Sequence, residues 1–158
     1  MQGAMALGVC LVVVLAQALI PDFRRPVADS MQYADIIATL ADQIRHDPGR
    51  VNGTLGTFFG PAYPLLAALL AAFDGSLAAA LACVAKDGAV CDLGGLTSLF
   101  AVQGIVVALT VFFCFLAIRR LAADGWTPWV ALAVLLASKS FVNYASLILT
   151  ETVAFFFV

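Results

Sequence analysis

Two carboxylates, Asp29 and Glu151, stand where they could do chemistry, each at the edge of an apolar run. A carboxylate at the level where a chain leaves a bilayer can accept a proton, hold a metal ion or organise a helix end. Left against hydrocarbon it would cost roughly 3 kcal/mol, so it needs a partner or water. Asp29 also has a plain structural reading: it can cap the helix that follows, with Gln32 at N3 closing a capping box. Three cations accompany the carboxylates. Arg24 and Arg25 can bind anionic headgroups, and Lys139, inside an apolar run, can snorkel outward or face a polar cavity. Four cysteines complete the reactive groups. Cys83 and Cys91 flank the polar stretch Lys86, Asp87 and Gly88, and can pair if that loop lies in an oxidising compartment. Cys10 and Cys114 sit in apolar runs and read as buried thiols; no zinc-type spacing is present.

The elements that must position these groups belong to a membrane protein. Of 158 residues, 63% are hydrophobic and 11% charged, too little polar surface to cover a globule in water. The net charge of −2 argues for no nucleic-acid partner. Residues 1–20 carry no charge and match the ~20 residues needed to cross a bilayer. They read as a first span, ended by Pro21 and Asp22. The alternative is a cleavable signal peptide, suggested by Ala16-Gln17-Ala18 but lacking a basic leader. From residue 30 to 46 the apolar positions Tyr33, Ile36, Ile37, Leu40, Ala41 and Ile44 form one helical face, suited to lying along a bilayer surface. Asp47-Pro48-Gly49 ends that helix, and Asn52-Gly53-Thr54 forms a glycosylation sequon, relevant only in a eukaryotic lumen.

Residues 62–85 are apolar but interrupted by Asp74. A single crossing would place that carboxylate in hydrocarbon, whereas two half-helices docked on one side of the membrane avoid the cost. Residues 93–118 are free of charge, end at Arg119 and Arg120, and form a second span. Tyr63, Trp126 and Trp129 read as interfacial anchors, the tryptophans opening a third span over 126–147. Residues 150–158 begin a fourth that stops short, so the chain reads as the N-terminal part of something longer. If 61–85 crosses, Arg24, Arg25, Arg119 and Arg120 fall on one side of the membrane; if it does not, the loop 21–92 lies opposite Arg119 and Arg120. The second arrangement is the one expected here, because of Asp74.

The segments ADSMQYADIIATLA, GPAYPLLAALLAAF, the span ending FLAIRRL, and NYASLILTETVAFFF occur in this order and cover most of the chain. Together they resemble the N-terminal portion of the GT-C superfamily of membrane glycosyltransferases, the protein O-mannosyltransferases, aminoarabinose transferases and lipopolysaccharide-sugar transferases among them. The resemblance implies an all-α membrane fold with a large external first loop of juxtamembrane helices. It implies transfer of a sugar from a polyprenyl-phosphate donor to a hydroxyl acceptor at the external or periplasmic face of the plasma or inner membrane. Carried over residue by residue, Asp29 would be the general base and Glu151 a second acidic group or metal ligand, with room for a divalent ion. Ser30 stands where many relatives have a second acid, so no carboxylate pair is implied at 29 and 30. The departing lipid phosphate would need positive charge, with Lys139, Arg24 and Arg25 as candidates. Two other readings stay open: a non-enzymatic small membrane protein, such as a transporter subunit or assembly factor, and a truncated, inactive transferase.

Overall fold

The computed structural model describes residues 2–19, 28–51, 53, 62–87, 91 and 93–138. Among them the regular structure is helical throughout: α1 (Gln2–Leu19), α2 (Ala28–His46), α3 (Ala62–Phe73), α4 (Gly75–Asp87), α5 (Thr97–Leu121) and α6 (Thr127–Ala137). Single 3-10 turns lie at Pro48–Arg50 and Leu93–Leu96. Among the described residues two segments, Gln2–Leu19 and Gly94–Leu121, are long and apolar enough to cross a membrane. At ~1.5 Å per residue α1 reaches ~27 Å and α5 ~37 Å, against a hydrocarbon core of ~30 Å. The 12 residues of α3 and the 13 of α4 each fall short of that thickness.

α1 buries Ala6, Cys10, Val14 and Ala18, spaced every fourth residue, so a single narrow ridge faces the protein. That ridge shares a core with Val107, Ala108, Val111 and Phe115 of α5 and Leu132 of α6. Small side chains let the helix backbones approach closely. The tightest point is Gly104, where an added Cβ would lie 2.9 Å from Leu15 Cδ2 and 3.2 Å from Ala18 Cβ. The C-terminal end of α1 therefore meets the N-terminal third of α5, while residues 6–14 pack in one core with residues 107–115. Only an antiparallel pair satisfies both. α6 closes the bundle, with the Trp129 ring 5.0 Å from that of Phe115.

A second core lies at the other end of α5. Ala34, Ile37, Leu40 and Ala41 of α2 pack with Tyr63, Ala67, Ala68 and Ala71 of α3 and with Leu77, Leu81 and Val84 of α4. Leu99 and Phe100 of α5 belong to this core too, so α5 is shared by both. Each large aliphatic side chain buried here is worth roughly 1.5–3 kcal/mol. The apolar face of α2, expected along a bilayer surface, is thus covered by α3 and α4. Arg119 and Arg120 are exposed at the opposite end of α5. Of the expected third span, α6 accounts for residues 127–137; the remainder of 126–147 and the start of the fourth span lie outside the described residues, apart from Trp126 and Ser138.

The two close approaches of α5 and its lead-in differ in what stands in the way. At Gly95 a Cβ would lie 2.8 Å from the Ser76 carbonyl oxygen and 2.8 Å from Ala80 Cβ, neither able to step aside. At Gly104 the nearest atom is the tip of a leucine, and an alanine gains about 1 kcal/mol in helix propensity. Gly95→Ala is therefore expected to destabilise the detergent-solubilised protein by about 1–3 kcal/mol, and Gly104→Ala by far less. Thermal unfolding of the two variants side by side checks the order.

Candidate functional site

The apolar stretch that could have crossed the membrane is broken at Asp74, and the break is held by hydrogen bonds. Asp74 Oδ1 accepts from the backbone N–H of Ser76 at 3.0 Å and of Leu77 at 3.2 Å, capping the free N–H groups of α4. It also accepts from Ser76 Oγ at 2.6 Å. Asp74 Oδ2 accepts from Ser98 Oγ at 2.7 Å, which ties the α3–α4 corner to the first turn of α5. These donors favour the charged form, the Ser76 hydroxyl most and the Ser98 hydroxyl next, and lower the carboxyl pKa to about 2. A carboxylate so saturated and so acidic is a poor proton acceptor at neutral pH. Asp74 is a structural group.

Around this corner opens a groove of about 340 Å³, lined by Leu66, Leu69, Leu70 and Phe73 of α3 with Asp74 and Ser98 at its polar end. The C-terminus of α3 is held by Arg45, in the last turn of α2. Its Nε donates to the Ala72 carbonyl at 2.8 Å and its Nη2 to that of Ala71. A cation at a helix C-terminus satisfies free carbonyls and opposes the helix dipole. On the opposite side of α3, Tyr63 is 2% exposed, its ring edge-on to Tyr33 at 6.4 Å. Gln103 Nε2 of α5 donates to the Tyr63 hydroxyl at 2.7 Å. Tyr63 is therefore a core residue joining α2, α3 and α5, and not the interfacial anchor that its sequence position suggested. Trp126 is 80% exposed, as an anchor would be, whereas Trp129 is half-buried against Phe115.

Asp29 falls in the first turn of α2, one residue inside the helix start at Ala28. Tyr33 lies one helical turn further along α2. Arg24, Arg25, Lys139 and Glu151 lie outside the described residues. Cys83 and Cys91 are joined by a disulfide, their Cα atoms 5.9 Å apart, linking the end of α4 to the segment before α5. Among the described residues no three His, Cys, Asp or Glu side chains gather into a metal-binding group. The acidic residue Asp124 repeats the capping pattern at α6: it accepts from the backbone N–H of Trp126 and Thr127 and from Thr127 Oγ1, which lowers its pKa.

Several of these roles carry a sequence signal. Asp74-Gly75-Ser76 and Asp124 before Thr127-Pro128 are helix-start patterns. Gln103 is a lone amide in an otherwise apolar span, which marks a helix-to-helix hydrogen bond. Arg45 carries none, because its acceptors lie 26 and 27 residues away.

The Asp74 cap sets a pH dependence. Its folded-state pKa of about 2 lies below the ordinary 3.8, so its contribution is complete above the ordinary value and lost as pH falls through about 2. Asp124 acts in the same direction. The melting temperature is expected to drop on acidification across this window, and to drop less in Asp74→Asn, which keeps an acceptor without a titrating proton. Melting curves at stepped pH check this.

No family model, curated protein or solved structure matches this chain.

Proposed function

We propose that this chain is the N-terminal membrane module of a glycosyltransferase that moves a sugar from a polyprenyl-phosphate donor to a hydroxyl acceptor outside the membrane. The observation that carries the reading is the antiparallel pairing of α1 with α5, with α2–α4 packed on the end of α5 remote from Arg119 and Arg120. In this arrangement both ends of the segment between the spans emerge on one side, and Asp29 opens the first helix there. Two independent features support an external position for that side. Arg119 and Arg120 beside a span favour the cytoplasmic face for the far end. The Cys83–Cys91 disulfide favours an oxidising compartment for the near end.

In the proposed reaction the Asp29 carboxylate takes the proton of the acceptor hydroxyl as its oxygen attacks the anomeric carbon and the bond to the lipid phosphate breaks. The phosphate leaves as an anion, and Lys139, Arg24 and Arg25 are the candidates to stabilise it. Glu151 is the proposed second acidic group. A divalent ion, if bound, would supply further positive charge at the leaving phosphate. α6 is the proposed start of a third span.

Topology is tested by tags inserted near residue 53 and near Gly125, which are expected to report opposite faces of the membrane. A common face would overturn the arrangement and return residues 61–85 to a crossing segment. The chemistry is tested by Asp29→Asn in the full-length protein, assayed for transfer from a labelled polyprenyl-phosphate sugar in membranes. The amide is nearly isosteric but cannot accept a proton, so transfer is expected to fall by about 10²–10⁴ with the protein still present in the membrane. Full activity with lost stability would make Asp29 a structural residue of the first turn of α2 alone.

A further inference from the structure

The exposed side chains of the α2–α4 unit are unevenly shared. α2 and α4 turn apolar residues inward and show Asp35, Asp42, Lys86 and Asp87 to solvent. α3 differs: its inner side, Tyr63, Ala67, Ala68 and Ala71, is fully covered, yet Leu66 is 39% exposed, Leu69 41% and Phe73 89%. The segment AYPLLAALLAAF carries no charged side chain. Its outward face and the groove beside it end on Asp74 and on Ser98 of α5.

The level of that groove follows from α5. A crossing of ~30 Å takes ~20 residues, and counting back that far from Ile118, the last residue before the arginine pair, reaches Leu99. Ser98 and the groove it lines therefore sit at the outer boundary of the hydrocarbon, given the span assignment in the proposed function. Ile105 and Phe113 of α5 and Met5, Val9 and Val12 of α1 are likewise exposed apolar side chains of the two long helices.

We infer that α3 is an in-plane membrane anchor whose outward face, Leu66, Leu69, Leu70 and Phe73, contacts the acyl chains of bilayer lipid, with one chain lying in the groove. The Asp74–Ser98 hydrogen bond marks the water side of the contact. An ionised Asp74 cannot enter hydrocarbon, so it fixes how deep the C-terminal end of α3 can sink. Arg45, bonded to the carbonyls of Ala71 and Ala72, holds the same end from the side of α2. Membrane contact thus belongs to α3, not to the amphipathic α2. Because the face is uncharged, the contact needs no anionic lipid and is insensitive to salt.

The test uses the full chain in phosphatidylcholine vesicles, with Cys10 and Cys114 replaced by alanine and spin labels placed singly through Leu69→Cys, Phe73→Cys, Asp42→Cys, Lys86→Cys and Gly125→Cys. Labels at 69 and 73 are expected to be relaxed more by oxygen than by a water-soluble nickel chelate, with the order inverted at 42 and 86. Adding phosphatidylglycerol or salt should leave the ratio at 73 unchanged. Chelate access at 69 and 73 equal to that at 42 would overturn the inference, as would shielding from both reagents, which would mean that protein covers the face. Chelate confined to the vesicle lumen gives the sidedness of 42 and 125. If those two share a side, the topology of the proposed function fails; if they differ while 73 is open to water, only the anchor fails. An intact Cys83–Cys91 disulfide, resistant to labelling in each variant, verifies that the α4 corner has folded.

Discussion

The hydrogen bonds accepted by Asp74 are the constraint on which the rest of this structure depends. Without a carboxylate at that position the stretch from α3 through α4 would be one apolar helix long enough to cross a bilayer. With it, the chain stops, caps a new helix on Ser76 and Leu77, and is bonded through Ser98 to the start of the second span. The corner follows from desolvation: an ionised group in hydrocarbon is costlier than a broken helix whose ends are capped. Once the corner is fixed, α3 and α4 form a surface onto which α2 lays its apolar face, and the first long connection becomes a packed unit instead of a free loop.

That unit is fastened to the spans by polar and apolar contacts working at one level. Gln103 reaches from α5 to the buried Tyr63 hydroxyl, and Leu99 and Phe100 enter the core that α2, α3 and α4 share. A buried amide and a buried phenol are each expensive alone, and a hydrogen bond between the amide nitrogen and the phenol offsets part of that cost while fixing orientation. The Tyr33 ring extends the contact to α2, one turn from Asp29. The direction of α2 is therefore governed by its packing on α3, α4 and α5.

The main elements could be read from residue types alone, because long charge-free stretches and a one-sided apolar pattern have few alternative folds. α1, α5 and α2 were legible in this way, as was the interruption at Asp74. Periodicity tells which face of a helix is covered but not by what. The face of α2 therefore looked suited to lipid until α3 and α4 were seen to fill it, and Tyr63 looked like a membrane-interface tyrosine until Gln103 was found on its hydroxyl. Arg45 is the opposite case: a surface arginine at the end of α2 by pattern, and the cap of α3 in space. Such pairings depend on how the helices are stacked, which spacing along one helix does not encode.

The length of α5 brings these features together. At ~37 Å it exceeds the hydrocarbon thickness by ~7 Å, about one helical turn and a half. A surplus of that kind is usually absorbed by tilt or by the bilayer. Counted back from Ile118, the surplus at the outer end is Thr97 and Ser98, and that end is used for docking: Ser98 bonds the Asp74 corner, while Leu99 and Phe100, at the boundary, fill the second core. Those bonds fix how far α5 projects from the membrane relative to α3. Sliding α5 along its axis past α3 would pull Ser98 away from Asp74 and unpack Leu99 and Phe100 from the second core. In the proposed topology the docked unit would set the register of α5 in the bilayer, just as α5 would set the height of the unit above it.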